Sequence, residues 1–342
     1  MKPIPKIPKI DIEPLYEITQ GLEKGYLLFT AMELEVFDHF EKSKTAREIS
    51  NELNLDADLT VKFLNSLVSV GLLIKEKSLY CNTALVAAYL VKGVPFSQGN
   101  LLNLMKKTKH ERWTNLSKFL QKVPIQTGMK TNAIFDRSFT LAMAEGAMRG
   151  GLHSTIEIIY SLPEFKNARK FLDLGGGHGL YAIGACQVNP KLQGFVFDLP
   201  PVIEVAREYI NEYDMNDNVH TISGDLAKDD WGADYDIIFA SDSLYKPRES
   251  ILSVLKRIGD SLSQKGVFIC KHWAMNEDRT TPATTVLWDL TLSLMRNPAF
   301  YTYSNEEFSD ILKESGFSKI ELFDISTPSK PSKIIVARKE TI

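Results

Sequence analysis

The chain has 342 residues, 44% of them hydrophobic, so it is long enough to bury one large core or two ordinary ones. Forty basic and forty-three acidic residues leave a formal charge of -3, which gives no general electrostatic reason to bind nucleic acid or anionic lipid. Prolines interrupt the basic N-terminus and no apolar run approaches twenty residues, so we expect neither a signal peptide nor a membrane span. The scattered residues Cys81, Cys186 and Cys270 form no metal-binding pair, and a reducing cytoplasm is the default location.

Residues 14–40 carry apolar side chains at helical spacing, which predicts one long helix or a helix pair. The expected buried stripe consists of Leu15, Ile18, Leu22, Leu27, Leu28, Met32, Leu34 and Phe37. Thr45-Ala-Arg-Glu48 is a capping box that opens a short helix. Asp56 or Asp58 caps a second helix, which runs to about Val70.

Residues 72–74 and 78–80 then form a small hairpin, which completes a winged helix-turn-helix within residues 1–98. Its second helix offers one lysine and no arginine, whereas contacts to bases and phosphates need more cationic donors. We therefore expect a structural or dimerisation role and no nucleic-acid partner.

Residues 99–160 look helical and are expected to form a linker that contributes to the substrate pocket. Over residues 161–342 apolar strand segments alternate with helices, as in a parallel, doubly wound sheet. The strand segments lie near residues 171–174, 194–198, 218–222, 236–240, 266–271, 320–323 and 333–336. The loop between the last two is too short for a crossover helix, so the last strand should pair antiparallel. The predicted fold class is thus α/β, a Rossmann-like sheet of seven strands beside an α-helical winged-helix domain.

Residues 171–179 read Phe-Leu-Asp-Leu-Gly-Gly-Gly-His-Gly, a strand followed by a tight turn that leads into a helix. The next strand ends in Asp198, as in folds that grip a ribose. The same glycines also fit a dinucleotide fingerprint. Asp173 beside the turn would repel a pyrophosphate and favour a cationic or amino-bearing ligand. This favours S-adenosylmethionine over a nicotinamide cofactor, which stays open as a rival.

The winged helix, the glycine turn, Phe197-Asp-Leu-Pro200, Gly224-Asp-Leu226 and Ser241-Asp-Ser-Leu-Tyr245 occur together in this chain. It resembles the S-adenosylmethionine-dependent O-methyltransferase family, which includes caffeate, hydroxyindole and bacterial natural-product enzymes. The resemblance covers about residues 14–338 and implies a homodimer formed through the N-terminal domain. It implies that Gly175 and Gly177 line the methionine part, that Asp198 accepts the ribose hydroxyls, and that Asp225 and Leu226 hold the adenine. Further expected cofactor residues are Asp173, Gly179, Leu199 and Ser241.

Typical members of the family carry a catalytic histidine at the position of Tyr245. This chain resembles the bacteriochlorophyllide C-20 methyltransferases in having a tyrosine there instead. The usual acid that orients the histidine corresponds here to His272. A phenol with a pKa near 10 is a poor general base, whereas an imidazole has the right unperturbed pKa. We therefore expect His272 to be the base or the group that polarises the acceptor, with Tyr245 positioning it. The alternative is that His272 only forms a hydrogen bond in a site that lacks a base. His178, in the glycine turn, is expected to be a partly exposed loop residue.

Aromatic and methionine side chains suit a small, flat, apolar acceptor. The expected acceptor residues are Met143, Trp273, Trp288 and Tyr303. The predicted function is methylation of a small aromatic acceptor at oxygen, or at an activated carbon. The alternative is a cofactor-binding or regulatory protein of the same fold that has lost catalysis.

Overall fold

The computed structural model describes residues 4–121, 135–294 and 301–340, and divides the chain into two compact units, Met1–Asn103 and Leu104–Ile342. Residues 122–134 of the expected linker therefore lie outside the described residues. Across the described ranges, no helix combines the length and the apolar character that a membrane crossing requires.

The helices are α1 (Glu13–Glu33), α2 (Ala46–Glu52), α3 (Ala57–Ser69), α4 (Ala84–Tyr89), α5 (Gly99–Trp113), α6 (Leu116–Leu120), α7 (Arg137–Met148), α8 (Gly151–Ser161), α9 (Leu180–Val188), α10 (Pro200–Glu212), α11 (Arg248–Ser261), α12 (Ala283–Ser293) and α13 (Asn305–Glu314). The strands are β1 (Lys44–Thr45), β2 (Leu73–Glu76), β3 (Leu79–Asn82), β4 (Lys170–Leu174), β5 (Gln193–Asp198), β6 (Val219–Ser223), β7 (Tyr235–Ser241), β8 (Leu262–Trp273), β9 (Phe317–Asp324) and β10 (Ser332–Lys339).

The N-terminal unit begins its short helices at the predicted caps. Thr45 and Glu48 form the reciprocal capping box of α2, and the Asp56 side chain accepts from the Leu59 amide at the start of α3. The predicted hairpin is β2 and β3, which pair antiparallel, and β1 adds to the other edge of β3. These elements enclose a small core that includes Val36, Ile49 and Leu64.

The first half of α1 does not have the buried stripe that its spacing predicts. Leu15, Ile18 and Leu22 are 64%, 73% and 64% exposed, whereas Leu27, Leu28, Met32 and Leu34 pack against the core of this unit. The prediction was therefore wrong for three positions in the single chain. The periodicity predicted the helix, but it could not specify which surface would cover the apolar side chains.

The second unit contains a sheet of seven strands in the order β6-β5-β4-β7-β8-β10-β9. Strands β4 to β8 are mutually parallel, and β10 pairs antiparallel with both β8 and β9. This confirms the predicted α/β sheet with its antiparallel last strand. The carboxyl ends of β4, β5 and β7 lie side by side, so the residues that follow these strands meet at one edge of the sheet.

Helices cover both faces of this sheet. Helices α8, α9 and α10 pack against one face, whose core includes Phe171, Phe239 and Ile269. Helices α11 and α13 pack against the other, whose core includes Phe268 and Cys270. Successive side chains of a strand point to opposite faces. Hence, at the end of β8, Lys271 follows the face of Ile269, whereas the next residue, His272, follows the face of Cys270.

Candidate active site

The turn after β4 depends on glycine. Gly175, Gly177 and Gly179 have φ values of +70°, +55° and +73°, in the left-handed region that glycine adopts without strain. A Cβ at Gly175 would also lie 2.7 Å from the Cβ of Ser243, which follows β7. The chain therefore folds back tightly, and α9 begins at Leu180 after Gly179, which has no side chain of its own to cap the helix.

Asp198 connects this turn to the end of β5. One carboxylate oxygen accepts from the Gly177 amide at 2.8 Å, and the other accepts from the Leu199 amide at 2.7 Å. Burial raises the pKa of Asp198, and the two amides oppose that shift. Because a carboxylate has about four lone-pair sites, it keeps acceptor capacity for further donors.

Asp173 is a buried acid at the same edge. It is 0% exposed, and neither carboxyl oxygen has a hydrogen-bond partner among the described residues. Burial, followed by the nearby charge of Asp198, raises the pKa of Asp173 to about 8. A cationic ligand group beside Asp173 would favour its charged form and supply the missing donor.

Asp225 and Leu226 lie in the loop after β6, next to the end of β5. The Asp225 side chain accepts from the Ala227 amide at 2.9 Å, and this contact is the main cause that lowers its pKa. Leu226 is half-buried and packs against the sheet core. The Gly224 amide donates to the Asp198 carbonyl, which brings this loop next to the glycine turn.

Sequence reasoning missed an ion pair of the site, between buried Lys271 and Asp242. The Lys271 ammonium contacts the Asp242 carboxylate and lies 3.3 Å from the Ser241 hydroxyl. The Lys271 side chain is 1% exposed and that of Asp242 is 35% exposed. Burial opposes the charge of both groups, but their mutual attraction prevails, lowering the pKa of Asp242 and raising that of Lys271. One feature of the sequence indicates this placement: Val267, Ile269 and Lys271 are each two residues apart on β8, so their side chains lie on the same face of the sheet.

Tyr245 belongs to the same network. Its hydroxyl donates to Asp242 at 2.7 Å and accepts from the Trp273 amide at 2.7 Å. Burial and the adjacent Asp242 charge raise the pKa of Tyr245 well above its usual range. The phenol therefore stays protonated at neutral pH and serves as a fixed hydrogen-bond bridge between the ends of β7 and β8.

His272 lies on the opposite face of the sheet from Lys271. It is 5% exposed, its ring centroid lies 5.1 Å from that of Phe308, and neither ring nitrogen has a hydrogen-bond partner in the described part of the chain. Tyr245 and His272 line one cavity, but its volume is only about 10 Å³. Burial lowers the pKa of His272 to about 4. These surroundings are those of a core residue and not of a group open to a substrate.

Replacing His272 by leucine is expected to leave the pH dependence of kcat/KM unchanged while making folding less sensitive to acid. In the native state this imidazole stays neutral down to a pKa of about 4, whereas an unfolded histidine binds its proton near pH 6.5. Its contribution to stability is therefore complete above pH 6.5 and is lost as the pH falls towards 4. The loss amounts to about 3 kcal/mol.

Urea titrations of both proteins between pH 4 and 7 measure this difference. The same substitution at exposed His220 is the matched control, and it should not change the slope of the free energy of unfolding against pH. Buried His178 keeps its own contribution in every variant, so the slope should shrink and not vanish. A kinetic pKa that disappears in His272→Leu would instead restore His272 as the base.

The expected acceptor residues lie in three different surroundings. The ring centroid of Trp288 lies 4.7 Å from that of Tyr245 and 5.4 Å from that of Trp273, so these three side chains form one aromatic cluster. Tyr303 is 4% exposed, and its hydroxyl donates to the Lys246 carbonyl, so it belongs to the core. Met143 lies half-buried on α7.

His178 is buried, which corrects the expectation of a partly exposed residue. Its Nδ1 accepts from the Leu180 amide at 3.1 Å, and its ring packs 5.8 Å from that of Tyr181, so it closes the first turn of α9. Burial, and then the ammonium groups of Lys271 and Lys330, lower the pKa of His178 to about 3. Lys330 thus lies within electrostatic reach of the site, although it is far from it in sequence.

Comparison with known proteins gives the family. Residues 123–318 match an O-methyltransferase domain, and residues 16–92 match an O-methyltransferase dimerisation domain. An uncharacterized protein of Methanocaldococcus jannaschii is 32% identical, with 88% of this chain and 82% of the relative covered. The 3-hydroxy-5-methyl-1-naphthoate 3-O-methyltransferase of Streptomyces sahachiroi is 23% identical, with 92% of each chain covered. The solved structure of human N-acetylserotonin methyltransferase in complex with SAM has the same fold, with a TM-score of 0.81, 22% identity and coverage of 98% and 99%. The chain therefore belongs to the family of S-adenosylmethionine-dependent O-methyltransferases.

Proposed function

We propose that the chain transfers a methyl group from S-adenosylmethionine to the hydroxyl group of a small, flat aromatic acceptor. The junction of Gly177 and Asp198 carries this proposal. It combines a glycine turn, the start of α9 and a carboxylate that two amides hold in place with lone pairs to spare. Two neighbouring ribose hydroxyls are donors that suit such a carboxylate.

The polar groups at this edge fit the parts of the cofactor. Asp173 has a buried carboxyl without a partner, which the amino group of the methionine part would satisfy. Asp225 and Leu226 offer a carboxylate and an apolar face to an adenine. The full set proposed to hold the cofactor is Asp173, Gly175, Gly177, Gly179, Asp198, Leu199, Asp225, Leu226 and Ser241.

When bound, S-adenosylmethionine would supply an electrophilic methyl group, which would bond to the acceptor oxygen as its bond to sulfur breaks and S-adenosylhomocysteine leaves. The hydroxyl proton becomes strongly acidic as the new carbon–oxygen bond forms, so a weak base is sufficient. Asp242 is charged and about one-third exposed, and it lies beside the aromatic cluster. We infer that its carboxylate takes the proton, while Lys271 and Tyr245 hold it in position. His272 is not proposed as the base, because it lies in the core of the opposite face.

The aromatic cluster supports the proposed acceptor class. Trp273 and Trp288 are half-buried and contact each other. Met143, half-buried on α7, is proposed as a further, adaptable acceptor residue. The Streptomyces relative is named for action on a hydroxynaphthoate, a flat aromatic alcohol. Tyr303 is left out of the acceptor set, because its ring and hydroxyl are engaged in the core.

The N-terminal unit supports a proposal of homodimerisation through residues 1–98. Leu15, Ile18 and Leu22 present apolar side chains on one helix, in the segment that matches a dimerisation domain. A second copy is the proposed cover for them. A cytoplasmic location is a further proposal, which rests on the three scattered cysteines. No observation on the described residues favours the alternative of a regulatory protein that has lost catalysis.

Methyl transfer from labelled S-adenosylmethionine to phenols and hydroxynaphthoates tests the function, with aliphatic alcohols as the comparison. Tyr245→Phe should then lower kcat about tenfold, because it removes the hydrogen bond to the Asp242 carboxylate. The pH dependence of kcat should keep its shape, because the phenol stays protonated throughout.

The matched control is Tyr160→Phe, at a tyrosine of α8 that is 65% exposed, and its kcat should equal that of the wild type. Loss of an alkaline kinetic pKa in Tyr245→Phe would overturn the positioning role. Absence of turnover with every aromatic acceptor, despite tight binding of the cofactor, would overturn the proposed acceptor class.

A further inference from the structure

A second cavity, of about 100 Å³, lies where the start of α8 meets the turn between β9 and β10. It is smaller than the roughly 150 Å³ apolar cavity that accepts a benzene ring. Its lining residues are cationic, hydroxyl-bearing, glycine or aliphatic, and none carries a carboxylate. The walls therefore suit a small anionic group better than an aromatic ring.

The start of α8 supplies amide donors to this cavity. Gly150, Gly151 and Ser154 line it, and Gly150 precedes the helix with φ of +99° and no side-chain cap. The first amides of an uncapped helix are unsatisfied donors, and the helix dipole favours negative charge there. The helix has 11 residues, enough for this effect to develop.

The Ser332 hydroxyl, which has no hydrogen-bond partner among the described residues, also favours a small anionic ligand. Ser332, the first residue of β10, lines the cavity and is 0% exposed. Its hydroxyl has no hydrogen-bond partner in the described ranges. Buried hydroxyls almost always have partners, so this group calls for an acceptor inside the cavity.

Two basic side chains complete the lining, and no residue of the lining is acidic. Arg149 has no hydrogen-bond or ion-pair partner among the residues that the structure describes. The Lys330 ammonium donates to the Gly146 carbonyl at 3.0 Å and forms no ion pair within the described part of the chain. A Cβ at Gly151 would lie 1.9 Å from this ammonium, so Lys330 crosses directly over the start of the helix. Burial, and then the charge of Lys271, lower the pKa of Lys330 to about 7.

The cavity lies close to the proposed methyl-transfer site, because Ser332 on β10 pairs with Trp273 at the end of β8. Lys330 interacts electrostatically with Lys271 and Asp242, and its charge also affects His178 beside the glycine turn. Its contact with Gly146 lies about one helical turn from Met143 on α7. A ligand held near the aromatic cluster could therefore extend a charged substituent into this cavity.

We propose that Arg149, Lys330, Ser332 and the first amides of α8 bind a carboxylate or phosphate group of the methyl acceptor. This inference rests on the proposed function and narrows its substrate class to aromatic alcohols that carry an anionic substituent. The anion would favour the charged form of Lys330, would receive charge-assisted hydrogen bonds from Arg149 and Lys330, and would satisfy the Ser332 hydroxyl.

Direct binding tests the cavity without any need for turnover. Calorimetry with inorganic phosphate and with benzoate should detect binding of at least one of them, which identifies the preferred anion. Arg149→Gln and Lys330→Gln should weaken that binding at least about tenfold. Ser332→Ala should weaken it less and leave the Tm unchanged, because it removes a hydroxyl that has no partner.

Lys166→Gln, at an exposed lysine beyond the far end of α8, is the matched control and should bind the anion as the wild type does. With hydroxybenzoate as acceptor, Arg149→Gln should raise KM about tenfold without changing kcat, and it should leave KM for phenol unchanged. Unaltered affinity for S-adenosylhomocysteine in the same variants separates this inference from the proposed function. The inference is overturned if neither anion binds, or if Lys166→Gln weakens binding as much as Arg149→Gln does.

Discussion

Replacing Asp198 by asparagine is expected to weaken the binding of S-adenosylhomocysteine about 100-fold, which corresponds to roughly 2.7 kcal/mol. The carboxylate accepts from the amides of Gly177 and Leu199 at the same time. An asparagine side chain has one acceptor oxygen and one donor NH2 group. The NH2 group would therefore meet one of the two backbone N–H groups, and two donors cannot form a hydrogen bond. The turn loses its bridge to β5, and the ribose hydroxyls lose the charged acceptor that we propose for them.

Isothermal titration measures the affinity, and Asp236→Asn supplies the matched control. Asp236 also accepts from two backbone amides, those of Arg169 and Lys170, but it lies near the amino-terminal end of β7, at the opposite edge of the sheet. Its variant should lose stability and keep the affinity of the wild type. Equal affinities of the Asp198 and Asp236 variants would remove Asp198 from the cofactor site.

The sheet and its glycine turn could be predicted because local rules determine them. Strand and helix alternate in the sequence, a loop too short for a crossover forces β10 to be antiparallel, and the positive φ values of Gly175, Gly177 and Gly179 need glycine. The caps at Thr45 and Asp56 are equally local, and the helices begin at these residues.

The side chains around the acceptor could not be predicted in the same way. Lys271 and His272 are adjacent, and the choice between them depends on which face of β8 meets α9 and which meets α13. Packing decides which face of the strand meets which helix. The spacing of Val267, Ile269 and Lys271 indicates only that these three residues share one face. Alignment with the family identifies the position of His272 along the chain, but not the face of the sheet towards which its side chain points.

Long-range placement explains the remaining differences. Lys330 reaches the start of α8 from a turn that is distant in sequence, so no spacing pattern could have connected them. His178 is buried because its ring packs on Tyr181 and its Nδ1 accepts an amide, whereas a position in a loop had suggested exposure. Contacts of this kind arise only when the whole sheet has formed.

Replacing Asp242 by asparagine is expected to destabilise the protein by about 2–3 kcal/mol and to lower kcat at least about 100-fold. Lys271 is 1% exposed and would keep a buried ammonium without a counter-charge. This loss lies at or just below the lower end of the roughly 3–5 kcal/mol that breaking a buried ion pair usually costs, because the Asp242 side chain is 35% exposed and water reaches it. The activity falls because the variant also lacks the proposed proton acceptor.

A double-mutant cycle separates the two effects. Adding Lys271→Met to Asp242→Asn removes the uncompensated charge, so most of the lost stability should return, whereas kcat should stay low. The pair of Lys333 and Asp324 provides the comparison, because it joins the same residue types on β10 and β9 with the Asp324 side chain 62% exposed. Asp324→Asn should cost less than about 1 kcal/mol. If Asp242→Asn were as stable as Asp324→Asn, the ion pair would not hold this edge of the sheet together. If the double variant regained full activity, Asp242 would not be the group that takes the proton.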